Sequence, residues 1–543
     1  MKEESAIIRH KRYTSAKSTM DLWLSRLTDI YDLFFPYRND IYYKAEASSR
    51  QNQIFDETGM MSAKQFASNL QSILMPSFQR WIELIPGKAI SEHSAFKENP
   101  DELKKIKEKL QQDTEILFDY LDSSDFSNSI AEAFQDLTVG TGFLQINEGS
   151  IEEPFIFKSI PIGKIIASEG SDGRLQNFWR EWEIPLIDIL QKWPLLKMPS
   201  RYNSRLKETP YEKVKLIEGC LYYPSNPFDS KYFYYVRFVE DPVDVYKQWM
   251  SFSPFIGFRY EKAPGETLGI GVAQYAYPAV RVLNAMTRLD LKSFKFRAFP
   301  AYVDASGRSL NPNTARIEPG ALIVVSPDFG SRSPIQPIPV GGDPRFSQLS
   351  IQLKQQRVKE IMMAEPLGEI SQVPTKTATE IAIRQRNYIQ RNAAAASRLA
   401  VELIKPIIDR CIEILRKKAL ITDIQTSVGV FRLGTKNKIV SIHYKSPVIS
   451  LQDSKDVAKL TQWAQLMLQL YGVDNTLMAV EKYKVPYYVA EKLGVDLELV
   501  KGSEEFEGEA QQAAQTMMQL QQAQQAQQQP EQGTPLTGVP GGQ

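Results

Sequence analysis

Apolar positions at helical spacing come first along the chain: Leu24, Leu27, Tyr31 and Phe34 predict an amphipathic helix that Pro36 ends. After the segment Phe55-Asp56-Glu57-Thr58-Gly59, Ser62 and Gln65 have the spacing of a capping box. The helix behind them carries Phe66, Leu70, Ile73 and Leu74 on one face. Pro76 and Trp81 follow, then a Lys- and Glu-rich helical run from about 100 to 121 and another from about 128 to 137. The turn Gly140-Thr141-Gly142 closes this helical part, and the period then changes. Between about 143 and 262 short β-prone runs dominate, among them Phe143 to Ile146 and Tyr232 to Phe238, broken by Pro, Gly and Asn; this reads as a mixed α/β body.

Helical periodicity returns from Gly271 to Arg297, with Val272, Tyr275, Ala279, Leu283, Met286 and Leu289 roughly aligned and a kink expected at Pro278. Residues 298–343 hold prolines, glycines and the β-branched run Leu322 to Val325, which describes a compact insert of strands and turns. A second long helix runs from Arg345 to Ala364, so the simplest arrangement is a hairpin of two helices with the insert at its tip. Phe346, Leu349 and Leu353 mark one side of that second helix, and Ile351, Val358 and Met362 nearly the opposite side. Such a helix needs neighbours on both faces, which either burial in a large monomer or packing between copies in a ring supplies. Pro366 breaks it. Thr375 to Glu380 then reads as a helix start, and the helix that follows, through Ala393 to Lys418, reaches about forty residues or roughly 60 Å. Pro406 is expected to kink it. Alternation near 428–433 and 439–444 predicts a hairpin, 452–500 a separate helical module, and the Gln-rich stretch beyond Gly502 a disordered tail.

With 543 residues, 43% hydrophobic and 24% charged, the chain is expected to fold as several units. Its 65 basic residues nearly balance 64 acidic ones, so any attraction to nucleic acid must come from local placement of charge. Cys220 and Cys411 lack the paired spacing of a zinc or redox motif, which points to a reducing compartment and inert thiols. The charged stretch from Met1 to Met20 has no apolar core of a signal peptide, and nowhere do eighteen apolar residues run together; no membrane insertion is expected.

Catalytic chemistry finds little support. The segment Gly429 to Lys436 reverses the closing Lys and Thr of a phosphate-binding loop and lies between strands, where its amides could not cradle a phosphate. Gly269-Ile270-Gly271 resembles half of a dinucleotide fingerprint, but Gln274 stands in place of the last glycine, so a helix-entry turn is the better reading. His10, His93 and His443 are isolated, and Asp122 and Asp125 are a polar turn pair rather than a metal site. No catalytic, metal or cofactor-binding residue is assigned. One charged feature stands out: Arg281, Arg288, Lys292 and Lys295 fall within roughly 60° of arc on the first long helix. Such a stripe attracts phosphates without regard to sequence, and it equally suits a solvated face or ion pairs with a neighbouring chain.

The chain resembles the head-to-tail connector (portal) proteins of short-tailed bacteriophages. The residues that carry the resemblance are the run Trp23 to Arg38, ending Ile-Tyr-Asp-Leu-Phe-Phe-Pro-Tyr-Arg, and Phe55-Asp56-Glu57-Thr58-Gly59 with the helix and Trp81 after it. Thr377-Ala378-Thr379-Glu380 with Arg384 and the Gln-rich tail complete the set, spread over most of the chain. The resemblance implies an α+β, mainly helical portal fold. It places a wing at 1–267, stem helices at 268–297 and 344–365, a clip at 298–343 and a tunnel loop at 366–376. The wing then resumes over 377–451, followed by a crown at 452–505 and the tail at 506–543. It further implies a non-enzymatic ring, commonly a dodecamer, at one capsid vertex of the virion and made in the bacterial host cytoplasm. That ring nucleates capsid assembly with capsid and scaffolding proteins, docks the terminase, passes double-stranded DNA in and later out, and holds tail adaptors. Residues expected to line the channel are Arg281, Arg288, Lys292 and Lys295, with Gln372 and Lys376 beside the loop. The competing expectations are a packaging ATPase or nuclease, which needs a phosphate loop or carboxylate cluster, and a membrane-inserted channel, which needs apolar spans.

Overall fold

A computed structural model describes residues 5–38, 52–91, 100–304, 344–364 and 388–445 with short breaks, the strands at 322–324 and 335–337, and a few helical positions between 459 and 489. The chain divides into two compact units, Met1–Tyr444 and Lys445–Gln543. In the second, residues 459–467 are helical. The expected tunnel loop with Gln372 and Lys376, the helix start at 375–380, most of the expected crown and the Gln-rich tail lie outside the described residues.

In the first unit, helix α1 (Ala6–Phe34) is followed by α2 (Thr58–Leu74), strand β1 (Ile82–Pro86), α3 (Pro100–Asp122) and α4 (Phe126–Val139). The predicted apolar faces are the buried ones: Leu27, Tyr31 and Phe34 on α1, and Phe66, Leu70, Ile73 and Leu74 on α2. The expected capping box is displaced. α2 starts one turn earlier, the backbone N–H of Thr58 donates to Asp56 Oδ1 at 2.9 Å, and Ser62 lies buried inside the helix. An Asx side chain two residues ahead satisfied the first free amide before a Ser further on could.

The β-rich body holds two antiparallel sheets. A three-stranded one has the order β3-β2-β9, from β2 (Thr141–Glu148), β3 (Phe155–Ser159) and β9 (Phe255–Arg259). The other is a five-stranded meander, β4 (Ile165–Glu169), β5 (Leu175–Pro185), β6 (Lys213–Tyr222), β7 (Tyr232–Phe238) and β8 (Asp244–Met250). Short helices α5 (Leu186–Lys192) and α6 (Ser200–Glu208) fill the connection between β5 and β6. Beyond the body run α7 (Val272–Ala298) and α8 (Pro344–Ile361), and the strands β10 (Tyr302–Asp304), β11 (Leu322–Val324) and β12 (Ile335–Pro337) between them form a small sheet of order β11-β10-β12.

The last long helix shows α9 (Ala393–Leu399), a π-helical turn at Ala400–Ile404 and α10 (Lys405–Lys417) in direct succession. Pro406 cannot donate to the carbonyl four residues back and its ring crowds it, so the wider turn sits where the sequence predicted a kink. The expected hairpin of 428–433 with 439–444 does not form. Strand β14 (Gly429–Phe431) pairs with β13 (Ile424–Thr426), while β15 (Val440–Tyr444) crosses to β1 in the register Ile82 with Tyr444 and Pro86 with Val440. Alternation identifies a half-buried strand and not its neighbour, and the buried Ile82 and Leu84 of β1 supplied a second apolar strand edge. One continuous apolar core runs through the first unit, from Tyr13 on α1 to Val440 on β15.

Candidate functional site

The α7–α8 hairpin is anchored at its base by glycines. The carbonyl of Val139, at the end of α4, accepts from Gly271 N–H at 3.0 Å and from the Gln274 side-chain amide at 2.7 Å. Gly269 N–H donates to Thr141 Oγ1 at 2.8 Å. A Cβ on Gly271 would stand 2.2 Å from the Thr138 carbonyl oxygen, and Gly140 (φ +150°) would collide with the backbone of Gly269. Only glycine permits this approach. The Gly269-Ile270-Gly271 segment is therefore the helix-entry turn the sequence indicated, and Gln274, which spoiled the dinucleotide fingerprint, is its side-chain tie.

Higher up, the Phe55-Asp56-Glu57-Thr58-Gly59 segment joins α2 to both helices of the hairpin. Phe55 N–H donates to Asn284 Oδ1 on α7 at 2.7 Å, and the guanidinium of Arg288 lies 5.5 Å from the Phe55 ring centroid. Asp56 caps α2 with one oxygen and accepts from Gln355 on α8 with the other at 2.8 Å. Gly59 is pressed so close to Val280 on α7 that a Cβ would sit 2.9 Å from its methyl. The hairpin also closes on itself, Ser347 Oγ donating to Asp290 Oδ1 at 2.7 Å. These junction residues, Asn284, Asp290, Ser347 and Gln355, were not singled out in the sequence, since no local pattern marks a polar side chain that bonds 57 or 299 positions away.

The outward surface of the hairpin has two chemistries. Arg281, Arg288, Lys292 and Lys295 are all exposed on α7, and none forms an ion pair with another described residue. Large apolar side chains are exposed beside them: Val282, Leu289, Leu291 and Phe294. On α8, Phe346, Leu349 and Leu353 are 73%, 55% and 59% exposed, whereas Val358 and Met362 on the opposite side are fully buried. Of the two faces that needed neighbours, the chain itself covers one.

Two buried ion networks hold this hairpin to the rest of the unit. Asp136 on α4 accepts from Tyr31 Oη at 2.9 Å and takes a bidentate pair from Arg38 at 2.8 and 3.2 Å, which ties the Tyr31-to-Arg38 run behind α1 to the helix ending at the glycine turn. Arg259 at the end of β9 spends its guanidinium on Glu402 (2.7 Å), Glu169, the Thr267 carbonyl and the Gly173 carbonyl. Glu402 lies in the π-helical turn, so the last long helix is pinned to the strand that leads into α7. The hydrogen bonds and charge of Glu402 and Glu169 outweigh burial, the largest single influence, and hold the Arg259 pKa above its ordinary value.

Two recesses open on this unit. A cavity of about 1030 Å³ is bounded by Tyr37, Arg38, Phe55, Asp56, Met60 and Asp136, and one of about 390 Å³ by Phe178, Tyr222, Tyr232, Glu402 and Asp409. Among the described residues no group of three or more His, Cys, Asp or Glu side chains converges on a metal-sized site, and no helix is long and apolar enough to cross a membrane. Cys220 and Cys411 are buried, and burial pushes the Cys220 thiol up to about 12.

No curated protein matches the sequence. Among solved structures, one described as the virion of a native gene transfer agent particle shares 9% identity over 77% of this chain and 90% of its own, with a TM-score of 0.33. Another, described as the neck of an empty gene transfer agent particle computed with C6 symmetry, shares 10% identity over 78% of this chain and 90% of its own, with a TM-score of 0.30. The family of bacteriophage head to tail connecting proteins matches residues 9–500, and the chain belongs to that family.

Proposed function

We propose that the protein is the portal subunit of a short-tailed phage or related particle, a structural component that forms a closed ring at one capsid vertex and conducts double-stranded DNA. The observation that carries this reading is the outward face of the α7–α8 hairpin. Exposed Phe346, Leu349 and Leu353 cost free energy in water at about 25 cal/mol per Å² of apolar surface left uncovered. A neighbouring hairpin, itself carrying Val282 and Leu289, removes that cost. A heterologous contact of this kind, repeated around an axis, closes a ring.

In this reading α7 and α8 are the stem, β10 to β12 belong to the clip, the sheets and flanking helices to the wing, and 452–505 to the crown. Arg281, Arg288, Lys292 and Lys295 face the bore, with Gln372 and Lys376 near it. A conduit must let duplex slide, and a few dispersed cations give weak, salt-screened attraction to phosphates without reading bases. Terminase docks at the clip, capsid, scaffolding and tail adaptor proteins bind around the ring, and the work of packaging is done by the motor.

Negative-stain electron microscopy of the purified chain tests the reading. Closed rings, about twelve-fold, with a hole about as wide as duplex DNA, roughly 20 Å, are expected, whereas monomers alone across salt and protein concentrations would refute it. Arg288→Gln with Lys292→Gln should leave rings intact and impair DNA packaging or retention. Loss of rings in that variant would instead assign the two cations to assembly.

A further inference from the structure

The two halves of α1 are held by different forces. From Trp23 onward its buried face is Trp23, Leu27, Ile30, Tyr31 and Phe34, an apolar stripe of the ordinary kind. Before that, the buried positions are Arg9, Tyr13, Ala16 and Met20. This first half sets Tyr13, Ala16 and Met20 in the core and adds a row of polar pairs to the five-stranded sheet. Arg9 and Asp244 on β8 form an ion pair with side chains 2% and 1% exposed. Arg12 donates to Asn177 on β5 at 3.3 Å, and Tyr13 and Lys17 both bond Glu181 on β5, the latter at 2.6 Å.

A further contact joins two groups that can both carry a positive charge. Arg237 Nη2 on β7 lies 2.9 Å from His10 Nδ1. Arg237 is 1% exposed, its guanidinium stacks at 5.5 Å on Tyr13 and 5.7 Å on Tyr235, and its Nη1 has no hydrogen-bond partner among the described residues. A guanidinium has no lone pair to offer and stays charged. His10 must therefore be the acceptor, with a neutral ring whose proton sits on Nε2. The charged groups around it are Arg237 and its cross-strand neighbour Asp244, the latter already paired to Arg9, with Tyr13 and Tyr235 between and the pair of Lys17 on α1 and Glu181 on β5 further along.

We propose that residues 6–20 of α1 form an acid-released latch: neutral His10 seats them on buried Arg237, and protonation of that ring undocks them from the sheet while residues 23–34 stay packed. A protonated His10 cannot accept, so it leaves Arg237 without its partner and adds a third cation beside Arg9 and Arg237. The sign follows. Burial and then the Arg237 charge lower the His10 pKa from 6.5, so the contact contributes fully above that value and is lost as pH falls through the lowered one. Glu181 runs the other way: burial raises its pKa against the pull of Lys215, so acid favours its folded form and it does not drive release.

Hydrogen exchange on the full-length protein at pH 7.5 and 5.5, corrected for intrinsic rates, tests the latch. Protection of amides 6–20 should fall by up to about tenfold at the lower pH, because the opening equilibrium changes about tenfold for each pH unit between the free value of 6.5 and the lowered one. Amides 23–34 should hold and so report an intact fold. His10→Gln offers an amide oxygen that does not titrate and should be equally protected at both pH values, whereas His10→Lys should be poorly protected at both. Unchanged protection of 6–20 in the wild type would overturn the proposal, because the protonated ring would then simply have turned into solvent. A loss that persists in His10→Gln would overturn it as well.

Discussion

A carboxylate taken out of water is costly unless its lone pairs are claimed, and Asp136, 1% exposed, has Tyr31 and both arms of Arg38 on it. Asp136→Ala removes the carboxylate that Tyr31 Oη and the partly buried Arg38 guanidinium bond; a loss of about 3 kcal/mol in urea unfolding is expected, at the low end for a broken buried pair because Arg38 keeps some contact with water. Gly271→Ala pits a methyl against the Thr138 backbone, which cannot swing aside as a side chain would, and should cost more than 2 kcal/mol, about the upper range for overpacking. The thiols are the opposite case. Cys220, buried with its pKa pushed up to about 12 by that burial, should be silent to a thiol reagent at pH 8 until denaturant is added. Its raised pKa also means that the stability it contributes holds below its ordinary value of 9.0 and is lost as pH rises above it. At this scale the sequence was half legible. The run Tyr31 to Arg38 and the segment Phe55 to Gly59 stood out as motifs, but Asp136, Asn284 and Gln355, the partners that explain them, sit in unrelated stretches with no local signature.

Helices were more legible than strand partners because a helix satisfies its backbone within itself, so its apolar period is complete in one stretch, whereas a strand must borrow hydrogen bonds from elsewhere. That is why the face of α2 matches the periodicity, and on α7 Val272 and Leu283 do, although the expected Tyr275 and Leu289 are exposed and Ala276 and Val280 are buried in their place, while β15 pairs with β1 rather than with the strand beside it. The π-helical turn was legible only as a proline: the sequence marks where the α-helical ladder fails and not how the chain repairs it. The hairpin offers the sharpest test. Leu353 on α8 is 59% exposed and touches little of its own chain, so Leu353→Asp should change stability by no more than about 0.5 kcal/mol. In the proposed ring the same carboxylate would be buried against a neighbour, so assembly should fail. Circular dichroism and size-exclusion chromatography with light scattering separate the outcomes: a folded chain that no longer forms rings supports the interface, and unaltered rings exclude this face from it.

The unit Met1–Tyr444 carries one continuous core, and that core's last strand, β15, returns to pair with β1 near its beginning. Chain closure of this kind makes the unit cooperative, because β1 loses its ladder partner if β15 leaves, and with it the cover over Ile82 and Leu84. Among the described residues the buried members of the core cluster end at Val440, with Ile442 and Tyr444 packed against it. A chain ending just after Tyr444 should unfold in one transition with a midpoint within about 1 °C of that shown by the same unit in the full-length protein, since a shift of that size corresponds to about 1 kcal/mol for a domain this large. A chain ending at residue 438, which removes β15, should lose far more, on the order of the several kcal/mol that a buried strand contributes. Differential scanning calorimetry of the two truncations distinguishes the cases. If the longer truncation is destabilised as severely as the shorter, the division at Tyr444 is not a boundary of independent stability.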